Sequence, residues 1–328
     1  LVSYTDFNGL TTTYEYNQYG KLISEGTSSS NRIKYTYVDG ELRETTDLNG
    51  NVTKYRYDGA GNLISTTDAL GNTSYTEYDL LGRVVKETDV LGNTTSRDKL
   101  VNGLIANAIQ YNLDGINIDF EYISKKSASA YLEFLRELSV KCRNNGIVLS
   151  VDSYVPSEYT EFYDREEQGK IVDYVIVMAY DEHYAGSEVS GSVASIGFVE
   201  EAVDNIVKMV DPSQVIIAMP FYCRQWREQT TDSGTKVSSV AYGMEQAANV
   251  LKKNCAESVW DDETGQYYGE YEAGDSVYKI WLEDEKSIEL KLKTIFKERK
   301  QGKVAGVASW KLGLQKKSIW NVIMKYTN

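Results

Sequence analysis

The feature that most constrains the fold of this chain is a recurrence near 21 residues in its first hundred positions. Tyrosines come two apart at Tyr14/Tyr16, Tyr35/Tyr37 and Tyr55/Tyr57, with Tyr75/Tyr78 a looser fourth pair. Gly20, Gly40, Gly61 and Gly82 follow at spacings of 20, 21 and 21. Asp47, Asp68 and Asp89 are spaced by 21, and each opens a turn: Asp47-Leu-Asn-Gly50, Asp68-Ala-Leu-Gly71, Asp89-Val-Leu-Gly92. A fixed period of this length means an array of one supersecondary unit. Side chains alternate between the faces of a strand, so Tyr55 and Tyr57 share one face and Lys54 and Arg56 the other. Each unit reads as a β-hairpin: a turn, a tyrosine-bearing strand, a glycine turn, then a strand such as Leu63-Ile64-Ser65. Residues 1–97 hold no proline and ten of the 26 tyrosines, and are expected to be all-β. Such an array is either a spacer or a surface that binds along its length rather than at a site.

The composition shifts near Ser96-Arg97-Asp98. From there apolar runs alternate with helical patterns, the signature of βα units and a parallel sheet. Strands are expected at 114–121, 147–151, 174–178, 215–219 and 304–309, and helices at 99–110, 126–144, 198–209 and 286–299. Leu132, Leu135 and Leu138 lie at helical spacing, and Gly146 stops that helix. Residues 227–280 break the alternation. They read as a small α+β insertion, with a helix near 240–252 and a hairpin from Ser258 to Trp281 turning at Asp262-Glu-Thr-Gly265.

Within this part, Asp114-Gly-Ile-Asn-Ile-Asp-Phe-Glu121 carries the chemistry. As a strand it places Ile116, Ile118 and Phe120 on one face and Asn117, Asp119 and Glu121 on the other. Stability does not ask for two acids side by side on an inward face, because like charges in a poorly hydrated place repel. Crowding separates their pKa values, so one can remain protonated while its neighbour is ionised. The plainer alternative is an edge strand with its acids in water. In βα folds functional groups collect at the C-terminal ends of strands. Those ends here carry Asp119 and Glu121, then Met178-Ala-Tyr180-Asp181-Glu182-His183, then Pro220-Phe-Tyr222-Cys-Arg224-Gln-Trp226, and finally Trp310. Acids beside tyrosine and tryptophan suit a sugar, whose ring faces pack on aromatics.

Other chemistries find little support. A net charge of −13 argues against nucleic acid and anionic membrane surfaces. There is no apolar run long enough for a membrane span. Cys142, Cys223 and Cys255 are scattered, and His183 is the single histidine, so neither a disulfide framework nor a histidine metal site is expected. The chain opens at Leu1 without a signal peptide and reads as a fragment of a longer polypeptide.

The residues also carry resemblances. Asp114–Glu121 is similar to the D-G-x-D-x-D-x-E signature of glycoside hydrolase family 18, the chitinase-like TIM barrels, with Asn117 in the third signature position. It most resembles the branch of spore-cortex peptidoglycan N-acetylglucosaminidases. Met178-Ala-Tyr180-Asp181 resembles that family's M-x-Y-D, Pro220–Trp226 its P-F-Y-G-R-x-W, and Ser309-Trp310 its tryptophan under the bound sugar. Ile280–Ser287 resembles a segment of the spore-cortex branch. Gly71-Asn-Thr73 leading to Tyr78-Asp-Leu80-Leu-Gly82-Arg83 resembles the YD repeats of Rhs-type proteins.

The family resemblance implies substrate-assisted, retaining hydrolysis of an N-acetylhexosamine glycan, peptidoglycan or chitin, outside the cytoplasm at a cell wall or spore surface. No metal and no organic cofactor is implied. Glu121 would protonate the glycosidic oxygen while the substrate's acetamido oxygen attacks the anomeric carbon. Asp119 would orient the acetamido nitrogen, Asn117 support Asp119, and Tyr180 bond the acetamido carbonyl. Met178, Asp181, Tyr222 and Arg224 would line the subsite, with Trp310 as its floor or as ordinary core. His183 is expected to be a structural or rim residue rather than a proton shuttle, and Cys223 a small buried filler. Tyr267, Tyr268 and Tyr271 are either glycan contacts or hairpin core.

The expected architecture is thus α/β: an incomplete TIM (β/α) barrel over 98–328, holding strands 4–8 and the insertion, preceded by YD-repeat hairpins over 1–97. The first three barrel strands have no counterpart before Lys99. A misjoined reading frame, a fusion to a decayed barrel, or repeats covering the gap would each account for this. A non-catalytic cell-surface or glycan-binding protein therefore stands as the alternative to an active glycosidase.

Overall fold

The computed structural model describes the backbone of all residues except 1, 6–9, 80, 89, 232–233, 298 and 328, and the side chains of 84–88 are also set aside. Leu1, Leu80 of the repeat motif and the turn residue Asp89 fall outside the described residues. Two compact units emerge: residues 1–114 with 123–145, and residues 115–122 with 146–328.

The first unit holds a nine-stranded antiparallel meander in simple sequence order. Its strands are β1 (Ser3–Thr5), β2 (Thr11–Tyr16), β3 (Leu22–Gly26), β4 (Arg32–Val38), β5 (Glu41–Thr46), β6 (Val52–Tyr57), β7 (Leu63–Thr67), β8 (Thr73–Tyr78) and β9 (Val84–Thr88). Burial alternates along β6, with Tyr55 and Tyr57 half-buried and Lys54 and Arg56 exposed. Four of the turns share one construction, while the β3–β4 connection and the two-residue Asp39-Gly40 turn do not. In Asp58-Gly-Ala-Gly61-Asn62 one carboxylate oxygen of Asp58 accepts the N–H groups of Ala60 and Asn62, each at 2.9 Å, and the other accepts the Asn62 side chain at 2.9 Å. Asp47 with Asn51 and Asp68 with Asn72 repeat it, and Asp79 does so with Arg83. Gly50, Gly61, Gly71 and Gly82 all have φ between +74° and +86°, which glycine adopts without steric cost. The aspartate turns and the glycine turns of the sequence are thus one module, used at both ends of the hairpins. A β-bulge precedes the second tyrosine of each unit, at Glu15/Tyr16, Thr36/Tyr37, Arg56/Tyr57 and Glu77/Tyr78.

Two helices complete this unit, α1 (Thr94–Gln110) and α2 (Ala128–Asn144). The helix expected from residue 99 begins five residues earlier, because Asn93 caps it by accepting the Ser96 N–H. Ser96 in turn accepts the Thr73 N–H at 3.1 Å, tying α1 to β8. Arg97 on α1 makes a two-pronged ion pair with Glu137 on α2 at 3.0 and 2.8 Å.

The second unit contains an all-parallel sheet of β10 (Gly115–Ile118), β11 (Val148–Tyr154), β12 (Tyr174–Met178), β13 (Val215–Pro220) and β19 (Gly306–Trp310), in that order. One face is fully apolar and buried, with Ile118, Leu149, Val151, Val175, Val177, Val215, Ile217 and Met219 all under 5 % exposed. The five expected strands are all present, with two corrections. β10 stops at Ile118, so Asp119 and Glu121 stand just beyond its end. β11 runs three residues past Val151, to Tyr154.

Helices α3 (Arg165–Ile171), α4 (Ile196–Ile206), α6 (Glu285–Ile295) and α7 (Ile319–Thr327) accompany this sheet, and α6 packs against both α4 and α7. The insertion is larger than expected and starts earlier. It is a five-stranded antiparallel sheet in the order β15-β14-β18-β17-β16. Its strands are β14 (Tyr222–Thr231), β15 (Gly234–Gly243), β16 (Ser258–Asp261), β17 (Gln266–Ala273) and β18 (Ser276–Leu282), and α5 (Met244–Lys253) lies against it. Cys223, Ala247, Leu251, Ile280 and Leu282 form its core, and Tyr267 and Tyr271 pack on that core. A buried ion pair anchors α6 below the sheet: Lys291 Nζ lies 2.8 Å from Glu283, with side chains 1 and 0 % exposed. The same carboxylate accepts Gln266 at 2.8 Å and Ser287 at 2.7 Å. No helix among the described residues is long and apolar enough to cross a membrane.

Candidate functional site

The sheet register decides which side chains meet. Asn117 pairs with Ser150 across β10 and β11, so Asp152 and Tyr154 share the face of Asn117. Tyr154 pairs with Met178 on β12, Met178 with Ala218 on β13, and Pro220 with Trp310 on β19. The open face of the parallel sheet therefore presents Asn117, Asp152, Tyr154 and Met178 in adjacent rows. Asp119, Glu121, Tyr180 and Asp181 follow at the strand ends.

Asn117 is held at both ends of its amide. Its Oδ1 accepts the Ser150 hydroxyl at 2.7 Å, and its Nδ2 donates to Asp152 Oδ2 at 3.1 Å. Asp152 is pushed up to about 6, first by burial and then by the negative charges of Asp119 and Glu121, against the lowering effect of the Asn117 amide. Glu121 is also raised above the ordinary carboxylate value, by partial burial and then by Asp119 and Asp181. Tyr180 lies among all four acids. Its hydroxyl is raised by burial, then by Asp152, Asp119, Asp181 and Glu121. Tyr154 is pushed up to about 12, chiefly by burial. Its oxygen accepts the Tyr122 N–H at 3.4 Å, which ties the chain after Glu121 to β11.

Beside this group lies a hollow of about 300 Å³ lined by Asp181, Tyr222, Arg224, Gln246, Trp310 and Lys311, among others. The Tyr222 hydroxyl donates to Asp181, and the Tyr180 and Tyr222 rings meet edge to face at 6.4 Å. Arg224 donates to Ser239 at 3.1 Å, while its Nε is buried without a partner among the described residues. Trp310 is 50 % exposed, which makes it a wall of the hollow rather than core. Lys311 lies 5.9 Å from that ring.

Every site residue expected from the sequence lies in the second unit, at these strand ends or in this hollow. Asn117 spends its hydrogen bonds on Ser150 and Asp152. His183 holds a loop, with Nδ1 2.9 Å from the Ser192 carbonyl and its ring over Gly191, whose added Cβ would fall 2.4 Å from it. Cys223 is fully buried and accepts the Glu283 N–H at 3.0 Å. Sequence reasoning missed Asp152, Tyr154 and Lys311. The first two carry a readable signal: Ser150, Asp152 and Tyr154 alternate with the apolar Leu149 and Val151, as Asn117 and Asp119 do with Ile116 and Ile118.

A parallel βα sheet with acids and aromatic rings at its strand ends defines the class of fold that supports catalysis at that edge. The chain belongs to glycosyl hydrolases family 18, whose sequence profile matches residues 86–315. The RHS repeat profile matches residues 35–73 and 57–94. The chain is 27% identical over 242 residues to the cortical fragment-lytic enzyme of Bacillus subtilis (strain 168), covering 71% of this chain and 54% of that protein. It is 29% identical over 240 residues to the uncharacterized glycosylase YvbX of the same strain, covering 71% and 67%. The crystal structure of the spore cortex-lytic enzyme SleL of Bacillus megaterium QM B1551 aligns with TM-score 0.64 at 23% identity, over 73% of this chain and 55% of that one. The chain thus spans about half the length of its cortex-lytic relatives.

Proposed function

We propose that this chain hydrolyses β-1,4 bonds next to N-acetylglucosamine in a bacterial wall or spore glycan, with retention and with the substrate's acetamido group as nucleophile. The observation that carries this reading is the carboxyl of Glu121 just beyond β10, exposed yet raised by partial desolvation and then by Asp119 and Asp181. A raised carboxyl stays protonated nearer neutrality and can act as general acid to the leaving oxygen. Asp119, two residues earlier, would hold the acetamido nitrogen, with Asn117 supporting the site through its bonds to Ser150 and Asp152. Tyr180 keeps its proton, held first by burial and then by the four acids around it, and it can donate to the acetamido carbonyl. Asp181, Tyr222, Arg224 and Trp310 would line the sugar subsite, and Met178 would pack beneath it.

Two observations favour peptidoglycan over chitin. Arg224 and Lys311 both line the hollow, and Arg224 Nε is buried without a hydrogen-bond partner among the described residues. The peptide stems carried by peptidoglycan offer carboxylates to such cations and chitin has none. The cortex-lytic relatives point the same way.

The five parallel strands would be the fourth to eighth of a family barrel whose first three are missing. Residues 1–97 would then be a repeat domain and 98–328 the hydrolase part, a boundary that falls within α1. The second reading is a non-catalytic glycan binder at the cell or spore surface, favoured by those missing strands. Release of reducing ends from cortex glycan, by the protein and by Glu121→Gln, separates the two. Loss of about 10²–10⁴-fold in the variant supports hydrolysis by this site. Equal release by both removes the assigned acid. No release by either, with retained pull-down on the glycan, supports the binder.

A further inference from the structure

We propose that Arg165 is a positioning residue of this site: it locks the end of β11 and, through Tyr154, holds the chain that carries Glu121. The proposal rests on the glycosidase reading above only for its consequence in rate. Tyr122, the residue after the acid, has φ +57°. A bulky side chain rarely adopts that left-handed region, and it persists there only where its surroundings hold it. The Tyr122 N–H donates to the Tyr154 hydroxyl at 3.4 Å, and the two rings lie 6.5 Å apart. Tyr154 is itself fixed at ring and backbone. Its ring meets the buried Tyr163 ring edge-on at 5.7 Å, and its carbonyl accepts Arg165 Nη2 at 3.0 Å.

Arg165 opens α3 and is 3 % exposed. Its donors also reach Ser153 Oγ at 3.0 Å, the Thr160 carbonyl at 2.6 Å and Thr160 Oγ1 at 2.9 Å. The guanidinium lies 5.6 Å from the Tyr163 ring centre. One planar fork thus ties together β11, the turn Glu158–Tyr163 and α3. All of these hydrogen-bond partners are neutral, and burial pushes the guanidinium down to about 10. A buried cation bonded only to neutral groups is a costly way to brace a turn, and an apolar side chain of that size would do it at less cost. What the fork adds is a defined place for the Tyr154 carbonyl, and so for the ring and hydroxyl above it. The charges that act on Glu121 are those of Asp119 and Asp181, and those that act on Asp152 are Asp119 and Glu121. Arg165 therefore serves the site by where it puts Tyr154, not by its field.

The test combines NMR of the Tyr122 amide, its shift and its solvent exchange, with steady-state kinetics on cortex glycan. The proteins are the parent, Arg165→Lys, Tyr154→Phe and the double variant. Lysine keeps the charge and loses the fork, while phenylalanine keeps the ring and loses the acceptor. Each single variant is expected to shift the Tyr122 amide and speed its exchange. Each should lower kcat on the order of 10–10²-fold with KM within about twofold of the parent. Both changes act through one link, so the double variant should lose no more than the larger single loss. Ser153→Ala takes one bond from the fork and should move the same readouts in the same direction by less. It stands in for Arg165→Lys where that variant does not fold. Losses that add in the double variant overturn the proposal. So does a Tyr122 amide that keeps the parent's shift and exchange when the fork is broken. If the parent hydrolyses nothing, the glycosidase reading fails, while the Tyr122 amide still decides whether Arg165 holds that chain.

Discussion

At the scale of single residues the site is a study in crowded acids. Glu121 is raised partly by the charges of Asp119 and Asp181, so neutralising either must lower it. A general acid works only while protonated, and activity falls as pH rises through its pKa. Asp181→Asn is therefore expected to move the alkaline limb of kcat/KM to lower pH, read from initial rates on cortex glycan. Asp152 has a consequence for stability. Its carboxyl is raised from 3.8 to about 6 on folding, so between those values the folded chain binds a proton that the unfolded chain has lost. That contribution is full below the lower value and disappears as pH rises through the upper one. Thermal melts of the parent should fall over this window, and Asp152→Asn should flatten the slope.

At the scale of elements, two devices invite measurement. Asp68 accepts the N–H groups of Leu70 and Asn72 and the Asn72 side chain in its turn. Asp68→Ala should cost about 1–2 kcal/mol locally, seen as faster amide exchange in β7 and β8. Asp47, Asp58 and Asp79 are held below the usual carboxylate value, first by the Asn51 side chain, the Asn62 side chain and the Arg83 N–H respectively. Depressed acids stabilise above their unfolded pKa and lose that effect as pH falls through the folded one, so the repeat sheet should loosen in acid. The second device is the Glu283–Lys291 pair. Lys291→Met should destabilise by about 3–5 kcal/mol by leaving a buried charge alone, and adding Glu283→Leu should recover much of it. Chemical denaturation of the single and double variants checks this.

The elements also show what a sequence can convey. The five parallel strands were legible because each is a short β-branched apolar run between polar ends. The extension of β11 was not, because Asp152 interrupts that run and polar residues that face a site look like the start of a loop. The start of α1 was obscured by its polar first turn, Thr94-Thr-Ser-Arg97, where a capping asparagine does the work that apolar periodicity does elsewhere. The β14–β15 hairpin was hidden because its polar strand, Ser238 and Ser239 among it, is paired by backbone rather than marked by hydrophobicity. The catalytic candidates were legible through motif and alternation together. Asp152 needed the cross-strand register, which no single strand contains.

At the scale of the whole molecule the chain passes between its two units at residues 114–115, 122–123 and 145–146. The segment bearing Asp119 and Glu121 is thus bounded on both sides by chain belonging to the other unit. A chain starting at Asp98 lacks the Asn93 cap of α1 and the Arg97–Glu137 pair. It is expected to melt below the 328-residue chain, and scanning calorimetry of the two would show it. The shared turn module carries a different consequence. From Asp47 to Arg83, where successive hairpins hand on the same edge they receive, a 21-residue copy can be gained or lost by unequal recombination without disturbing its neighbours. The length of this array is then free to drift between generations while the hydrolase sequence downstream keeps its own pace.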